Sequence, residues 1–518
     1  MPERLVWLIP ALPMLAAAWI GIGYVTGHNR GEAGERHTAR VTQGAAALAL
    51  LIVLSLDALA LFKGAPGQIR LGEWLTSGDY RVALSFTLDG LGLAMSTLVA
   101  FVAFLTLRFS VNYMHREPGY QRFFLLLSLF TGAMLLLVTA GNAVLTFAGW
   151  ELAGVSSYLL IAYAFERPTA TRNATRAFVT NRIGDAGFIL GIFLAFHWFQ
   201  SVEWPTLLEG GEGLSSLSAG LVTGGFLLAA LAKSAQVPFA PWISRALEGP
   251  TPSSAIFYGS LMVHAGLYLV LRLQPLFEQA PALMALLAAL GLLTALYGFI
   301  GGLVQSDVKT ALIFSTTAQT GLMFFECGLG WFELAAWHLA AHALWRAYQF
   351  LSAPALMHLV SRPARPVPPW LQRRRALYTA GLRRFWLDHL ADWLLVRPTQ
   401  ALAREVQSFD EQVVNRLVGL PTQIDAVSSL AEWEARQRGV VRTPEGSIGR
   451  GQGVLGAMME WLGSILHWFE EHLVLRGGGG GLLKTMHHIG GYLLIIEQLL
   501  SQPRYLWLLI LVTFVVII

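Results

Sequence analysis

The chain has 518 residues, 55% of them hydrophobic and 13% charged, with a mean hydropathy of +0.54. A soluble chain carries about a quarter charged residues, so this composition excludes an ordinary soluble protein and indicates a polytopic membrane protein. The net charge of +4 is too small to mark a nucleic-acid surface, and the single cysteine, Cys327, excludes a disulfide frame and a Cys-based metal site.

Twelve membrane spans are predicted, near residues 5–25, 43–62, 88–110, 122–140, 142–164, 177–200, 217–241, 252–273, 281–304, 308–328, 332–360 and 505–518. The first apolar run lacks a polar cleavage region and reads as a span, not a signal peptide. The loops after spans 1, 3 and 5 carry Arg30, Arg36, Arg40, Arg108, Arg116, Arg122, Arg167, Arg172 and Arg176; the loop after span 6 carries Glu203, Glu209 and Glu212. This asymmetry puts the odd-numbered loops in the cytoplasm and the N-terminus outside the cell inner membrane. Between residues 361 and 500 the texture becomes amphipathic, with Trp386, Leu387, Leu390, Trp393, Leu394 and Leu402 at helical spacing, and glycine-rich joints at 446–453 and 477–481. The expected division is 1–121, 122–273, 274–360, 361–500 and 501–518.

The stretch LAKSAQVPFAPWISRALEGPTP, residues 231–252, organises the rest. An apolar run leads into Lys233, and Pro238 and Pro241 follow within two turns. An ionisable residue in hydrocarbon is costly and points to function; the prolines break the helix where protein or a hydrated cavity must cover the freed backbone. The alternative is a snorkelling lysine at a helix end. Glu151, in GWELAGVSSYLLIAY, needs a facing cation, and Lys233 is the expected one; the pair serves either proton transfer or static structure. Arg182 and Asp185 are three apart and pair along one helix face, as a relay or as structure. His338, His342 and Arg346 recur every four residues and share a face. The two histidines suit a proton wire, which His264 extends, or they are satisfied core histidines. No carboxylate follows in the metal-binding HExxH manner, so a metal is not expected. Asp307 and Lys309 cap a span, and Tyr258 packs. No phosphate loop, nucleotide fingerprint, nucleophile triad or CxxC pair occurs, and no cofactor is expected in this chain. What remains is proton movement between buried titratable groups.

GWELAGVSSYLLI, AFVTNRIGDAGF, AKSAQVPFAPWISRALEGPTPSSAI, VQSDVKTALIFSTTAQTGLMF and HLAAHALWRAYQFLSA occur in this order over residues 80–360. They resemble the antiporter-like membrane subunits of respiratory complex I, closest to the distal NuoL type, whose fold the Mrp antiporters share. The resemblance implies an all-α antiporter-like fold of two inverted five-helix repeats, each forming half a channel. It also implies a proton-input pair at Glu151 and Lys233 and a central polar axis through His338 and His342. Tyr258 stands where the family usually has histidine, and Arg346 where it has lysine; a guanidinium does not release protons at accessible pH. FWLDHLADWLLVRPTQALA, residues 385–403, resembles the segment after the family's second repeat, so the first repeat reads as complete and the second as truncated.

A chain of this length resembles the short DabB-type subunits of DAB inorganic carbon transporters. That resemblance implies a heteromeric complex with a large DabA-like partner whose zinc hydrates CO2 to bicarbonate, driven by proton or Na+ flow through this chain. The alternatives are a proton-pumping subunit of a complex I, hydrogenase or Mrp-type assembly, and a non-conducting scaffold. In each case the chain itself is a transporter subunit or anchor and not an enzyme.

Overall fold

The computed structural model describes residues 5–78, 80–210, 213–359 and 366–410, the side chains of 355–359 excepted. The chain divides into two compact units, Met1–Pro398 and Thr399–Ile518. The predicted twelfth span and the glycine-rich joints lie outside the described residues.

Long apolar runs fold as helices because hydrocarbon offers their backbone groups no other partner. In chain order they are α1 (Leu8–Thr26), α2 (Gly31–Lys63), α3 (Gly90–Tyr113), α4 (Tyr120–Thr139), α5 (Ala143–Ile161) and α6 (Pro168–Phe199). The short α7 (Trp204–Gly210) precedes α8 (Ser216–Lys233) and α9 (Pro241–Arg245). Next come α10 (Thr251–Ser254), α11 (Ala265–Arg272), α12 (Gln274–Glu278), α13 (Pro281–Leu303), α14 (Val308–Gly328) and α15 (Phe332–Leu359). Among the described residues nine segments are long and apolar enough to cross a membrane: α1 to α6, α8, the interrupted span Thr251–Arg272, and α13. The helices α14 and α15, of 21 and 28 residues, are more polar. Asn142, Ser215 and Asp307 cap α5, α8 and α14, each side chain accepting from a backbone N–H three residues on.

A hairpin that no periodicity argument anticipated joins α2 to α3. Strand β1 (Gly67–Ser77) pairs antiparallel with β2 (Tyr80–Leu88), in a register running from Gly67 opposite Leu88 to Ser77 opposite Tyr80. Val82, Ala83, Phe86 and Leu88 turn inward, and Glu203 ties the hairpin down by accepting from Gln68, Ser85 and Asn142. At the other end of the spans, the arginine-rich loops meet. Arg116 pairs with Glu32, Arg122 donates to the Tyr163 carbonyl, and Arg167 pairs with Glu248. The loops therefore alternate between the two ends as the charge pattern requires.

Two spans are interrupted. The predicted span at 217–241 stops at Lys233; residues 234–240 leave the helix, with Ala235 at φ +50°, before α9 resumes. The neighbouring span Thr251–Arg272 is wholly buried and central, and widens into a π-turn over Ala255–Ser260 before tightening at Met262–His264. Such local widening recurs at functional sites.

Beyond α15 come α16 (Pro369–Arg373), α17 (Arg375–Leu382), α18 (Leu387–Ala391) and α19 (Arg397–Phe409). Arg176 of α6 pairs with Asp392 at 2.6 Å, Arg245 of α9 pairs with Asp388 at 2.7 Å, and Arg384 donates to Ser244 at 2.9 Å. Burial lowers the Arg384 guanidinium pKa from its ordinary value, and neighbouring Arg245 adds to this. In α19 the apolar Leu402, Val406 and Phe409 lie exposed along one stripe, as the amphipathic reading requires.

The helices α13 and α14 pack backbone to backbone. A Cβ on Gly298 would meet the Ala318 backbone nitrogen at 2.4 Å, and one on Gly321 would meet Ala295 N at 2.5 Å. Small residues let the backbones touch where lipid provides no hydrophobic drive. Gly298→Val is expected to destabilise the chain by about 1–3 kcal/mol through overpacking. Unfolding by SDS, compared with exposed Gly44→Val, checks it.

Candidate functional site

Lys233 ends α8 and is completely buried. Its Nζ donates to the Trp150 carbonyl at 2.9 Å and lies 4.8 Å from the centre of the Trp150 ring. The indole N–H of Trp150 in turn donates to Asp185 at 2.7 Å. The expected direct partner of Glu151 was Lys233; the structure instead sets Arg182 against the Glu151 carboxylate, with the same guanidinium 2.7 Å from Asp185. A planar fork presents separate N–H donors to two carboxylates at once, whereas an ammonium is a compact point charge. Both cations converge on Gly154, where an added Cβ would stand 3.3 Å from the Lys233 Nζ and 3.5 Å from an Arg182 nitrogen. Two carboxylates and two cations thus share one intramembrane cluster built from α5, α6 and α8. A small cavity opens beside it, its lining mixed: Ser157, Asn181 and Arg182 face Tyr158, Phe178 and Met262.

The break after Lys233 is satisfied by side chains. Gln236 donates to the Ser234 carbonyl at 2.9 Å and to Thr320 at 3.3 Å; Trp242 donates to the Ala232 carbonyl at 2.9 Å. Thr294 accepts from the Val237 N–H at 2.9 Å, and Ser234 donates to the Val263 carbonyl at 2.6 Å. The same residues that cover the freed backbone therefore join the lysine to α14 and to the residue preceding His264.

From there a second polar group begins. His264 and His342 are 3.0 Å apart between Nε2 and Nδ1. Arg346 donates from Nε to the other nitrogen of His342 at 3.1 Å, and also to Gln349 and Ser315. A guanidinium only donates, so His342 Nε2 must carry a lone pair. The neutral His342 then holds its proton on Nδ1 and donates it to His264. Arg346 thereby fixes the direction of the histidine pair. His338 is not bonded to His342; their ring centres are 6.3 Å apart and perpendicular. It is held instead by Glu326, 2.9 Å from Nδ1, and by Gln319, 2.8 Å from Nε2. The expected wire is thus continuous from His264 to His342 and interrupted before His338. Tyr258 packs as expected, its hydroxyl 3.4 Å from Ser157.

Glu326, Gln319, Gln236 and Trp150 escaped the sequence reading. The rule that singled out Glu151, a carboxylate within an apolar run, also applies to Glu326 in LMFFECGLG. The other three are uncharged and carry no such signal. Among the described residues no group of three His, Cys, Asp or Glu side chains has the spacing of a metal site.

Residues 140–362 match the family described as NADH:quinone oxidoreductase/Mrp antiporter, TM, and residues 74–124 match that of NADH-ubiquinone oxidoreductase (complex I), chain 5 N-terminus. The chain is 38% identical over 363 residues to the chloroplast NAD(P)H-quinone oxidoreductase subunit 5 of Nephroselmis olivacea, covering 69% of this chain and 56% of that protein. It is 35% identical over 400 residues to chain 5 of the Synechocystis enzyme, covering 74% of this chain and 56% of that one. Among solved structures, the Mrp complex from Dietzia sp. superposes with a TM-score of 0.58 at 26% identity, over 67% of this chain and 37% of that one. Complex I from Thermus thermophilus superposes with a TM-score of 0.57 at 21% identity, over 69% and 73%, a likeness of fold. The chain spans about half the length of the curated relatives it matches. It belongs, over these residues, to the antiporter-like membrane subunits of the complex I chain 5 and Mrp type.

The cluster geometry separates the two cations energetically. Arg182→Gln strips buried Asp185 and half-buried Glu151 of their nearest guanidinium and is expected to cost about 3 kcal/mol. Lys233→Met removes a second bond from a carbonyl that keeps its place in the α5 helix and is expected to cost less, about 1 kcal/mol. SDS-induced unfolding of both variants tests the order; a larger loss from Lys233→Met would refute the assignment of Arg182 as the main counter-ion.

Proposed function

We propose that this chain is a proton-conducting membrane subunit of a multi-subunit assembly of the complex I or Mrp type. The observation that carries the reading is Lys233: a fully buried amine at a helix break, bonded to one carbonyl and set across Gly154 from the guanidinium that holds two carboxylates. A lysine so placed serves as a charge switch, because small movements of Arg182 between Glu151 and Asp185 change the field it feels. Protons pass from the cluster of Glu151, Arg182, Asp185 and Lys233, by way of the break at 234–236, to His264 and His342. Release of Arg346 from His342 frees the nitrogen that accepts the next proton, after which His338 is reached.

On this reading the chain carries ions and the chemistry that drives or uses them sits in partners. It lies in a cell membrane with the arginine-rich loops inside and the N-terminus outside. The relatives named above are subunits of quinone oxidoreductases and an Mrp complex, which favours a redox or antiporter assembly over carbon uptake. A DabA-like zinc-containing partner draws no support from any residue described here. Copurification and mass spectrometry distinguish the two, since redox or Mrp subunits support the proposal and a zinc-containing hydration subunit replaces it.

The direct test uses the purified assembly in proteoliposomes under an imposed potential, with a pH-sensitive dye inside. Lys233→Ala and Glu151→Gln are each expected to lower proton flux at least tenfold, with the assembly intact on size exclusion. Undiminished flux in both variants would leave the chain a scaffold. Replacing Na+ by choline, with flux unchanged, identifies the proton as the carried ion.

A further inference from the structure

The described histidine path needs an outlet, and the geometry points to Glu326: we propose that Glu326 is the proton-exchange residue that connects His338 to water at the end of the membrane opposite the arginine-rich loops. The inference rests on the proton-conducting reading above and adds the place where the path leaves the chain.

Glu326 lies in the last turn of α14, two residues before the helix ends at Gly328. At 1.5 Å per residue this puts it about 3 Å below the end of the helix. Gly330, in the left-handed region at φ +84°, turns the chain, and Trp331 donates its backbone N–H to the Glu326 carbonyl at 2.9 Å. The exposed indole of Trp331 lies in this turn and that of Trp337 in the second turn of α15, and exposed tryptophans mark the boundary between lipid and water. The carboxylate therefore sits at the interface and not at mid-depth. Its side chain is 14% exposed and that of His338 21% exposed, whereas His264 is fully buried. Exposure thus rises from His264 through His342 to His338, and Glu326, the partner of His338, is likewise partly exposed.

The chemistry at this end matches its position. Glu326 accepts from His338 Nδ1 along an existing contact of 2.9 Å, while Gln319 occupies the other ring nitrogen at 2.8 Å. With acceptors on both nitrogens the ring is suited to hold two protons. The transfer moves one proton from His338 Nδ1 to a Glu326 oxygen, leaving a neutral imidazole and a carboxylic acid. The acid then gives that proton to interfacial water and returns to carboxylate, so charge and protons balance. Glu333, in the first turn of α15, is the nearest carboxylate along that helix, one residue before exposed Leu334 and four residues before exposed Trp337; Glu326 is the acid that touches the histidine.

The experiment compares the intact assembly carrying wild-type chain, Lys233→Ala, Glu326→Gln and Glu326→Asp in the proteoliposome flux assay. Gln keeps an oxygen acceptor for His338 and so preserves the contact while removing the titratable group. The expected result is at least a tenfold loss for Glu326→Gln and for Lys233→Ala, with Glu326→Asp within threefold of wild type. Loss with Lys233→Ala but full flux with Glu326→Gln overturns the outlet and leaves the conduction reading standing. Full flux with Lys233→Ala overturns the conduction reading and the outlet with it. A second measurement needs no variant. Water-soluble carbodiimide with glycine ethyl ester, applied to the wild-type assembly, should modify Glu326 faster than Glu151 or Asp185, read by peptide mass spectrometry. Modification of Glu326 no faster than of the other two would overturn the proposal even if the variants fail to assemble.

Discussion

The structure turns on a single hydrogen bond in hydrocarbon: the Lys233 amine to the Trp150 carbonyl. Moving an ammonium out of water costs several kcal/mol even after relaxation. One neutral acceptor and the face of an indole offset part of that, and the two carboxylates held by Arg182 supply the remaining field. The local fold follows from this requirement. The break after Lys233 lets α8 end where the amine needs to be. Gln236, Thr294 and Trp242 then satisfy the backbone that the break frees. The polar residues nearest the lysine are thus structural and electrostatic at once.

The second polar group follows a different logic. Around His264 and His342 the donors and acceptors are ordered by Arg346, which has no acceptor to offer and fixes both tautomers by donating to one nitrogen. A lysine at that position would offer a proton as well as a charge; the guanidinium offers only charge and geometry. The histidine pair is consequently held neutral and directional at rest, and its use as a path requires the arginine to let go.

Much of the architecture was legible in the residues. Hydropathy placed eleven helical segments to within a few residues at most ends, nine of the described ones apolar enough to cross a membrane, and the two prolines announced the interruption beside Lys233. The hairpin at 67–88 was missed because β1 carries the glycines and charges of a loop. At the site, the charged residues announced themselves and their partnerships did not. Lys233 and Glu151 were natural counter-ions by type, yet Arg182 took the carboxylate because it approaches from α6 with a longer, forked head. Uncharged groups such as Trp150 and Gln236, whose role depends on three-dimensional neighbours, leave no trace in a hydropathy pattern.

The ties between Arg245 and Asp388 and between Arg176 and Asp392 have a mechanical corollary. Arg245 closes α9, the short helix that resumes after the interruption, so the stretch 236–245 is tethered at both ends: to α14 through Gln236 and Thr320, and to the stretch around α18 through Arg245. A rigid peg fastened this way cannot swing without stretching one of its moorings. Rearrangement around the lysine is therefore passed through Arg245 to the segment around α18, far along the chain from the amine itself.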